Sequence, residues 1–296
     1  MKPHYDHDDL HDRGLQFDLA TLMSRRTALK MFGGAALVTL VGCSDDDNGG
    51  SDGGVAAGAT NTPRPEGGVT QPAAVNVSPI PTSPTPISAC TALPQETAGP
   101  FPGDGSNGPN VLQLSGVVRR DIRSSIVTSS TVAQGVPLTV NLTVVDTQNQ
   151  CRPMAGAAVY IWQCDRVGNY SMYSQPAVNE NYLRGVQAAD ANGVVTFTSI
   201  FPGAYSGRWP HILFEVYPSL AQATSSANKR ATSQLALPED VSNAVYATTG
   251  YEQSMRNMVQ TPLSRDNVFA DGVDLQMAQC TGSVSAGYTA TLLLGV

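Results

Sequence analysis

Residues 193–217 read GVVTFTSIFPGAYSGRWPHILFEVY. Val, Ile, Thr and aromatic residues fill both ends of this stretch and Pro and Gly interrupt its middle, a pattern that predicts two strands joined by a turn. Tyr205, Arg208 and His211 lie in or beside the turn, and the other three histidines of the chain lie within its first 11 residues. Because a phenol, a guanidinium and an imidazole are costly to bury together, we expect the chemistry of this protein to centre on the turn.

Similar runs, bounded by Gly, Pro, Asn and Asp, recur along the chain and predict further strands. The six predicted strands are 112–118, 138–145, 157–163, 194–200, 211–217 and 288–294. Helical periodicity is confined to two short segments, 239–246 and 252–259. The sequence therefore predicts an all-β fold, a β-sandwich with long active-site loops.

A pair of arginines, Arg25 and Arg26, precedes an apolar stretch at 31–41. This stretch is too short for a transmembrane helix, which needs about 20 apolar residues, and it predicts a Tat-type signal for export. It leads into Leu-Val-Gly-Cys at 40–43, which resembles a lipoprotein cleavage site, so we expect a lipid anchor on Cys43; a plain cleaved signal is the alternative. We therefore predict an exported lipoprotein of the cell surface or periplasm, which contacts the membrane only through this anchor.

Composition divides the chain into three parts. Residues 1–42 are the predicted signal peptide, and residues 43–88, rich in Asp, Gly, Pro, Ser and Thr, predict a disordered tether. Residues 89–296 form the predicted folded domain, which is long enough for a proper core. The net charge of -7 and the lack of a Lys/Arg cluster outside the signal argue against a nucleic-acid partner.

Four cysteines follow Cys43, namely Cys90, Cys151, Cys164 and Cys280. An even number of cysteines in an exported domain predicts disulfides, and we expect two, with three possible connectivities. A pair between Cys151 and Cys164 is disfavoured because one predicted strand holds them apart. A thiolate metal site is the alternative, but the chain has no C-x-x-C spacing in support of it.

Four local patterns occur in order in the first two thirds of the predicted domain. They are TAGPF at 97–101, WQCDRVGNYS at 162–171, PGAYSGRWPHIL at 202–213 and TSQ at 232–234. Together they resemble the intradiol ring-cleavage dioxygenases, the family of the protocatechuate and catechol dioxygenases. The RGVQ stretch at 184–187 and the Tat-type leader are similar to the exported bacterial branch of that family.

The resemblance implies a cofactor, a non-haem Fe(III) bound by tyrosinates and histidines. The family pattern W-x-x-x-x-x-G-x-Y falls on Tyr170, and the pattern P-G-x-Y falls on Tyr205. The first position of the family's H-x-H pattern is His211, but the second is Leu213, which cannot bind a metal. Phenolate oxygens are hard anionic donors suited to trivalent iron, so the metal ligands implied for this chain are Tyr170, Tyr205 and His211.

The same resemblance implies the substrates and the catalytic residues. A catechol-type aromatic substrate and O2 would react at the iron, and the ring would open between its two hydroxylated carbons. Tyr205 would accept a substrate proton, Arg208 would stabilise negative charge on the ring, and Gln234 would lie near the substrate. A structural pairing of Arg208 with Glu215 or Asp190 is the alternative.

Leu213 leaves two functions open. Residues i and i+2 of a strand face the same side, so H-x-H would present two imidazoles to one metal, whereas this chain presents one. Gln163, Asp165 and Glu215 are conceivable oxygen ligands in its place. The first interpretation is an intradiol dioxygenase with three protein ligands. The second is a non-catalytic member of the family that binds aromatic or polysaccharide material.

Overall fold

The computed structural model describes residues 90–127 and 129–296. The predicted signal peptide, the lipid anchor at Cys43, the tether and the boundary between tether and domain lie outside these residues. Within the described part, no helix has the length and apolar character needed to cross a membrane.

Across the described residues the chain forms nine strands and two α-helices. The strands are β1 (Pro137–Asp146), β2 (Arg152–Pro153), β3 (Ala158–Trp162), β4 (Arg184–Ala188), β5 (Val194–Ile200), β6 (His211–Tyr217), β7 (Ala231–Ala236), β8 (Gln279–Ser283) and β9 (Gly287–Gly295). Helices α1 (Glu239–Tyr246) and α2 (Glu252–Gln260) lie between β7 and β8. Five of the six predicted strands and both predicted helices are present, and β5, β6 and α1 have the predicted bounds.

The strands form two sheets. The first has the order β2-β1-β9-β8, and β5 pairs with β1 as well. Strands β1 and β9 run parallel, whereas the other pairs of this sheet are antiparallel. The second sheet has the order β4-β3-β6-β7 and is antiparallel throughout. The predicted all-β fold is confirmed.

The hydrophobic core lies between the two sheets. Every second residue of β1 points into it, namely Leu138, Val140, Leu142 and Val144. They belong to the same buried cluster as Ile161 on β3 and Phe214 on β6. Burial of each such side chain stabilises the fold by about 1.5–3 kcal/mol, so this layer holds the two sheets together.

The second sheet is buried on its outer face as well. Every residue of β3, β6 and β7 is buried, because loops before β1 and after β3 cover the face that points away from the core. Trp162 and Leu213, which are neighbours in the β3–β6 register, lie on this face together with Val111 and Tyr170 from the covering loops. The candidate site lies between this face and its loops.

The predicted strand at 112–118 is wrong. The chain forms a single turn of 3-10 helix at Val111–Gln113, where the Asn110 side chain accepts a hydrogen bond from the Leu112 N–H at 3.0 Å. Val111 and Leu112 are buried because they pack on the outer face of the second sheet. The unpredicted strands β2, β4, β7 and β8 are short or polar, and their sequences lack the alternation that marks a strand.

One disulfide joins the described cysteines, between Cys90 and Cys151, whose Cα atoms are 5.8 Å apart. The expectation of two disulfides is wrong, since Cys164 and Cys280 are free. Cys164 is buried under the loops, where its thiol donates to the Gly203 carbonyl at 3.3 Å. Cys280 lies on β8 of the other sheet. The two thiols remain unpaired because they belong to different layers of the sandwich.

Breaking the disulfide is expected to destabilise the domain. The two cysteines are 61 residues apart, and the loop-entropy relation then gives a loss of about 4 kcal/mol in the free energy of unfolding for Cys151→Ser. Urea denaturation of the full chain measures this loss. Cys280→Ser is the matched control and should change the midpoint little, because Cys280 is free. Equal stability of the two variants would show that the disulfide does not form.

Candidate metal centre

Three candidate ligands from separate parts of the chain meet under the loops. Tyr170 lies in the loop after β3, Tyr205 in the connection between β5 and β6, and His211 at the start of β6. The Tyr170 hydroxyl lies 3.1 Å from His211 Nε2, although 41 residues separate them in the sequence. The ring centres of Tyr170 and Tyr205 are 5.7 Å apart, and the rings meet edge to face. All three side chains are buried.

The close approach of the two loops depends on Gly168. Its φ is +98°, in the left-handed region, and a Cβ atom there would lie 3.2 Å from the Ala204 carbonyl oxygen. The turn that follows is closed by the Tyr170 N–H, which donates to Ser174 Oγ at 2.9 Å, and by the Ser174 N–H, which donates to the Tyr170 carbonyl. A glycine therefore lets the loop that carries Tyr170 pack directly on the turn that carries Tyr205.

The imidazole of His211 is held in one tautomer. Its Nδ1 lies 2.6 Å from the Trp209 carbonyl oxygen, and because a carbonyl only accepts, Nδ1 carries the hydrogen. Nε2 therefore presents its lone pair, which accepts a hydrogen bond from the Tyr170 hydroxyl. Metal-binding histidines commonly have this arrangement, with one nitrogen bonded to a carbonyl and the other facing the ion.

Burial sets the charge states of both groups. Desolvation, and after it the nearby Arg208 charge, lowers the pKa of His211 to about 3, so the imidazole is neutral at pH 7. Desolvation raises the pKa of Tyr170 well above its usual value, so the phenol is neutral in the protein alone. A bound cation is the kind of group that would favour the Tyr170 phenolate.

A small cavity lies beside these groups. It measures about 10 Å³, which is room for about one water molecule. Residues 98–101 form one wall, and the ring centre of Phe101 lies 4.9 Å from that of Tyr170 and 5.4 Å from that of Tyr205. Trp162 and Arg208 also line the cavity. The candidate ligands therefore share one small, largely aromatic cavity.

Leu213, at the second position of the H-x-H pattern, lines the same cavity. It follows His211 by two residues on the same face of β6 and is buried. Trp162 lies opposite it on β3, and Gln234 lies opposite it on β7. Among the described residues, no group of three or more His, Cys, Asp or Glu side chains could hold a metal. The candidate metal ligands in the cavity wall are two phenols and one imidazole.

The three conceivable replacement ligands, Gln163, Asp165 and Glu215, all have other partners. Glu215 accepts hydrogen bonds from Tyr217 at 2.6 Å and from Lys229 at 2.7 Å, and burial is the main cause that raises the pKa of Glu215 to about 7. Gln163 donates to a backbone carbonyl at 2.8 Å. Asp165 accepts from two backbone N–H groups of its own loop, at 2.9 and 3.0 Å.

Arg208 reaches the cavity and pairs with a carboxylate that no sequence pattern indicated. It is 2% exposed, and its Nε donates to Asp266 Oδ2 at 2.8 Å. Burial is the largest single influence and opposes ionisation of Asp266, but the Arg208 charge and the hydrogen bonds from Arg208 and the Trp209 N–H together outweigh it, so the pKa of Asp266 is lowered. The alternative that Arg208 pairs with a carboxylate is therefore confirmed, but the partner is Asp266 and neither Glu215 nor Asp190. Asp190 instead accepts backbone N–H groups of the turn that leads into β5.

Gln234 links Arg208 to the wall of the cavity. Its Oε1 accepts a hydrogen bond from Arg208 Nη2 at 2.7 Å, and its Nε2 donates to the Thr97 carbonyl at 2.8 Å. The structure thus brings together the five residues predicted for the site, which are Tyr170, Tyr205, Arg208, His211 and Gln234.

Asp266 is the site residue that the sequence analysis missed. Asp is common at the start of a turn, and this preference is the one local signal at position 266. Asp266 has this role in the structure, since its Oδ1 accepts the N–H groups of Val268 and Phe269 at 2.8 and 3.1 Å. That signal predicts the turn alone. The pairing with Arg208 joins residues 58 positions apart, and only the tertiary structure reveals it.

Comparison with known proteins agrees with this fold. The family model described as Dioxygenase matches residues 115–217. A stretch of 57 residues is 42% identical to catechol 1,2-dioxygenase 2 of Acinetobacter lwoffii and covers 19% of this chain and 20% of that protein. The match thus spans about a fifth of the length of this curated relative.

Solved structures are similar over most of the described part. The intradiol ring-cleavage dioxygenase from Tetranychus urticae aligns with 27% identity and a TM-score of 0.54, over 70% of this chain and 94% of that chain. The dioxygenase domain of a dioxygenase–carbohydrate-binding fusion from Streptomyces sp. SirexAA-E aligns with 23% identity and a TM-score of 0.43, over 70% and 98% of the two chains. The described part of the chain is thus similar in fold, and over residues 115–217 in sequence, to the intradiol ring-cleavage dioxygenases.

Proposed function

We propose that this chain is an intradiol dioxygenase that opens a catechol-type ring with O2 at a non-haem Fe(III) bound by Tyr170, Tyr205 and His211. Similarity to the intradiol dioxygenases supports the class of reaction. The observation that carries the proposal for this chain is the 3.1 Å contact between the Tyr170 hydroxyl and His211 Nε2, both of which line the cavity.

The side chains present fit Fe(III). Phenolate oxygens are hard anionic donors, and imidazole is a common companion ligand for iron. The bond from His211 Nδ1 to the Trp209 carbonyl leaves Nε2 free to bind an ion. When bound, Fe(III) supplies Lewis acidity toward the catechol oxygens and the electron exchange that reaction with O2 requires.

The residues around the cavity would bind and orient the ring. Trp162 and Phe101 line it with aromatic surface, which suits a flat apolar ring. The cavity measures about 10 Å³, so the Phe101 side chain has to move when a ring enters. Arg208 brings a positive charge that favours the anionic form of the catechol. The Tyr205 oxygen can take the proton that the catechol releases.

One observation favours a second candidate function. Leu213 places an apolar group in the cavity where the H-x-H pattern has a second imidazole. If the affinity for Fe(III) is too low for turnover, this chain would be a non-catalytic family member that binds aromatic or polysaccharide material. The convergence of Tyr170, Tyr205 and His211 favours the dioxygenase, and iron binding decides between the two.

The deciding measurement is the iron content and visible spectrum of the full chain, purified after growth with added iron. We expect close to one iron per chain and a band from tyrosinate-to-Fe(III) charge transfer, followed by O2 uptake when catechol is added. His211→Ala is the control and should lower the iron content, because it removes the one imidazole of the site. A folded, colourless protein without iron would exclude the dioxygenase and support the binding function.

A further inference from the structure

Asp266 is a fully buried carboxylate with an unusually complete set of donors around it. Its Oδ2 accepts from Arg208 Nε at 2.8 Å and from the Trp209 N–H at 2.7 Å. Its Oδ1 accepts from Arg208 Nη2 at 3.3 Å and from the N–H groups of Val268 and Phe269. A carboxylate buried with five hydrogen bonds has little freedom to move, so whatever it contacts is held in place as well.

The first group that Asp266 holds is the guanidinium of Arg208. Two nitrogens of the guanidinium contact the carboxylate, a paired geometry that fixes the plane of the fork. Nη2 also donates to Gln234 Oε1 at 2.7 Å, and the Phe269 ring lies 5.8 Å from Arg208 Cζ. Nη1 forms no hydrogen bond with any residue that the structure describes, and Arg208 lines the cavity. Asp266 therefore determines which edge of the guanidinium stays available to a ligand.

The second group is the backbone of Trp209. Its N–H donates to Asp266, and its indole Nε1–H donates to the Leu237 carbonyl at 2.9 Å. Trp209 is thus held at its backbone and at its side chain. Its carbonyl oxygen accepts the hydrogen of His211 Nδ1. A chain of contacts runs from Asp266 through Trp209 to the imidazole, and it ends with the lone pair of Nε2 facing Tyr170.

We infer that Asp266 is a positioning residue: it orients Arg208 toward the substrate and, through the Trp209 backbone, keeps His211 in the tautomer that can bind iron. The inference rests on the proposed function for the role of Arg208. Its second half, the control of the His211 tautomer, holds for the iron-free protein and is tested without any activity. Asp266 lies outside the stretch matched by the family model, residues 115–217.

The first test determines the tautomer of His211 in the iron-free full chain. Long-range proton–nitrogen correlation NMR spectra of the imidazole measure it. The wild-type protein should show His211 protonated at Nδ1 and bare at Nε2. Asp266→Asn keeps the shape of the side chain but places an NH2 group against donors, and it should shift His211 toward a mixture of tautomers. The other three histidines lie in the first 11 residues. The imidazole signal that disappears in His211→Gln is therefore assigned to His211. A folded Asp266→Asn chain with an unchanged tautomer would overturn the inference.

Asp121→Asn is the matched control for this test. Asp121 pairs with Arg123 through the same two kinds of nitrogen, Nε at 2.9 Å and Nη2 at 2.6 Å. That pair lies at the surface, with the side chains 49% and 40% exposed. Its loss should leave the His211 signal unchanged. Asp266→Glu keeps the charge, so it should change the tautomer population of His211 less than Asp266→Asn does. If Asp266→Asn does not fold, Asp266→Glu is used in its place.

The second test uses the iron-loaded full chain with catechol. Asp266→Asn should lower kcat/KM by about 10–100-fold, the usual loss when the partner of a metal-binding histidine is removed, and Asp266→Glu should recover part of it. Equal activity of Asp266→Asn and Asp121→Asn would overturn the inference. If the wild-type chain neither binds iron nor turns over catechol, the proposed function fails, and the tautomer experiment still decides the role of Asp266.

Discussion

Leu213→His is expected to raise the affinity for Fe(III) and any catechol turnover, because it returns a second imidazole to the face of β6 that carries His211. The side chain already lines the cavity and is buried, so a histidine there faces the candidate ligands. Loss of an outer-shell partner of a metal ligand lowers metal affinity by about 10–100-fold. Addition of a direct ligand should therefore raise the affinity for Fe(III) by more than this factor. Iron titration, followed by the charge-transfer band and O2 uptake, measures the effect.

The same variant should be less stable than the wild type without iron. A polar ring replaces a buried aliphatic side chain, and burying a polar group without a partner costs about 1–3 kcal/mol. Iron binds the folded state alone and should restore the loss. Thermal unfolding of Leu213→His with and without Fe(III) therefore tests the placement of the new imidazole.

Leu213→Met is the matched control for this prediction. It nearly conserves the buried volume and adds no imidazole, so iron affinity should stay close to that of the wild type. Unchanged iron binding by a folded Leu213→His chain would contradict the expected geometry. The cavity would then no longer suit a metal, and the non-catalytic binding function would be favoured.

Tyr170→Phe is expected to abolish most of the visible colour of the iron-loaded protein and to lower its iron affinity by more than about 100-fold. The change removes the phenol oxygen that lies 3.1 Å from His211 Nε2 and leaves the packing of its ring against Phe101 intact. Absorbance per bound iron and an iron-binding isotherm measure the two effects.

Tyr182→Phe separates this effect from the general loss of a tyrosine. Tyr182 is also buried, but its hydroxyl donates to Asp165 at 3.3 Å and does not line the cavity. This variant should retain wild-type colour and iron content. A Tyr170→Phe protein with a full-intensity band would rule out Tyr170 as a ligand.

Much of the fold was predictable from local sequence. Strands β5 and β6 carry the runs of Val, Ile, Thr and aromatic residues that mark a strand, and both have the predicted bounds. The segment 112–118 shows the limit of this signal. It is equally apolar, but it packs on the outer face of a sheet without pairing as a strand, because burial alone does not distinguish a strand from a covering loop.

Several features depend on contacts between distant residues. Strand β7 lacks an alternating pattern and is buried because α1, α2 and the loops pack around the second sheet. The pairing of Cys90 with Cys151, leaving Cys164 free, depends on which layer each cysteine occupies. No spacing rule contains that information.

The sequence by itself determined the class of fold, the family resemblance and the identity of the candidate ligands, because strand patterns and motifs such as P-G-x-Y are local. It also determined that one of the two expected imidazoles is absent, since the residue at position 213 is Leu. The tertiary structure alone decided that the Tyr170 hydroxyl faces His211 Nε2, that Glu215 is held by Lys229 and Tyr217, and that Asp266 holds Arg208. These contacts join residues that are distant in the sequence. They depend on how the two sheets and their loops pack, and no local stretch of sequence specifies that packing.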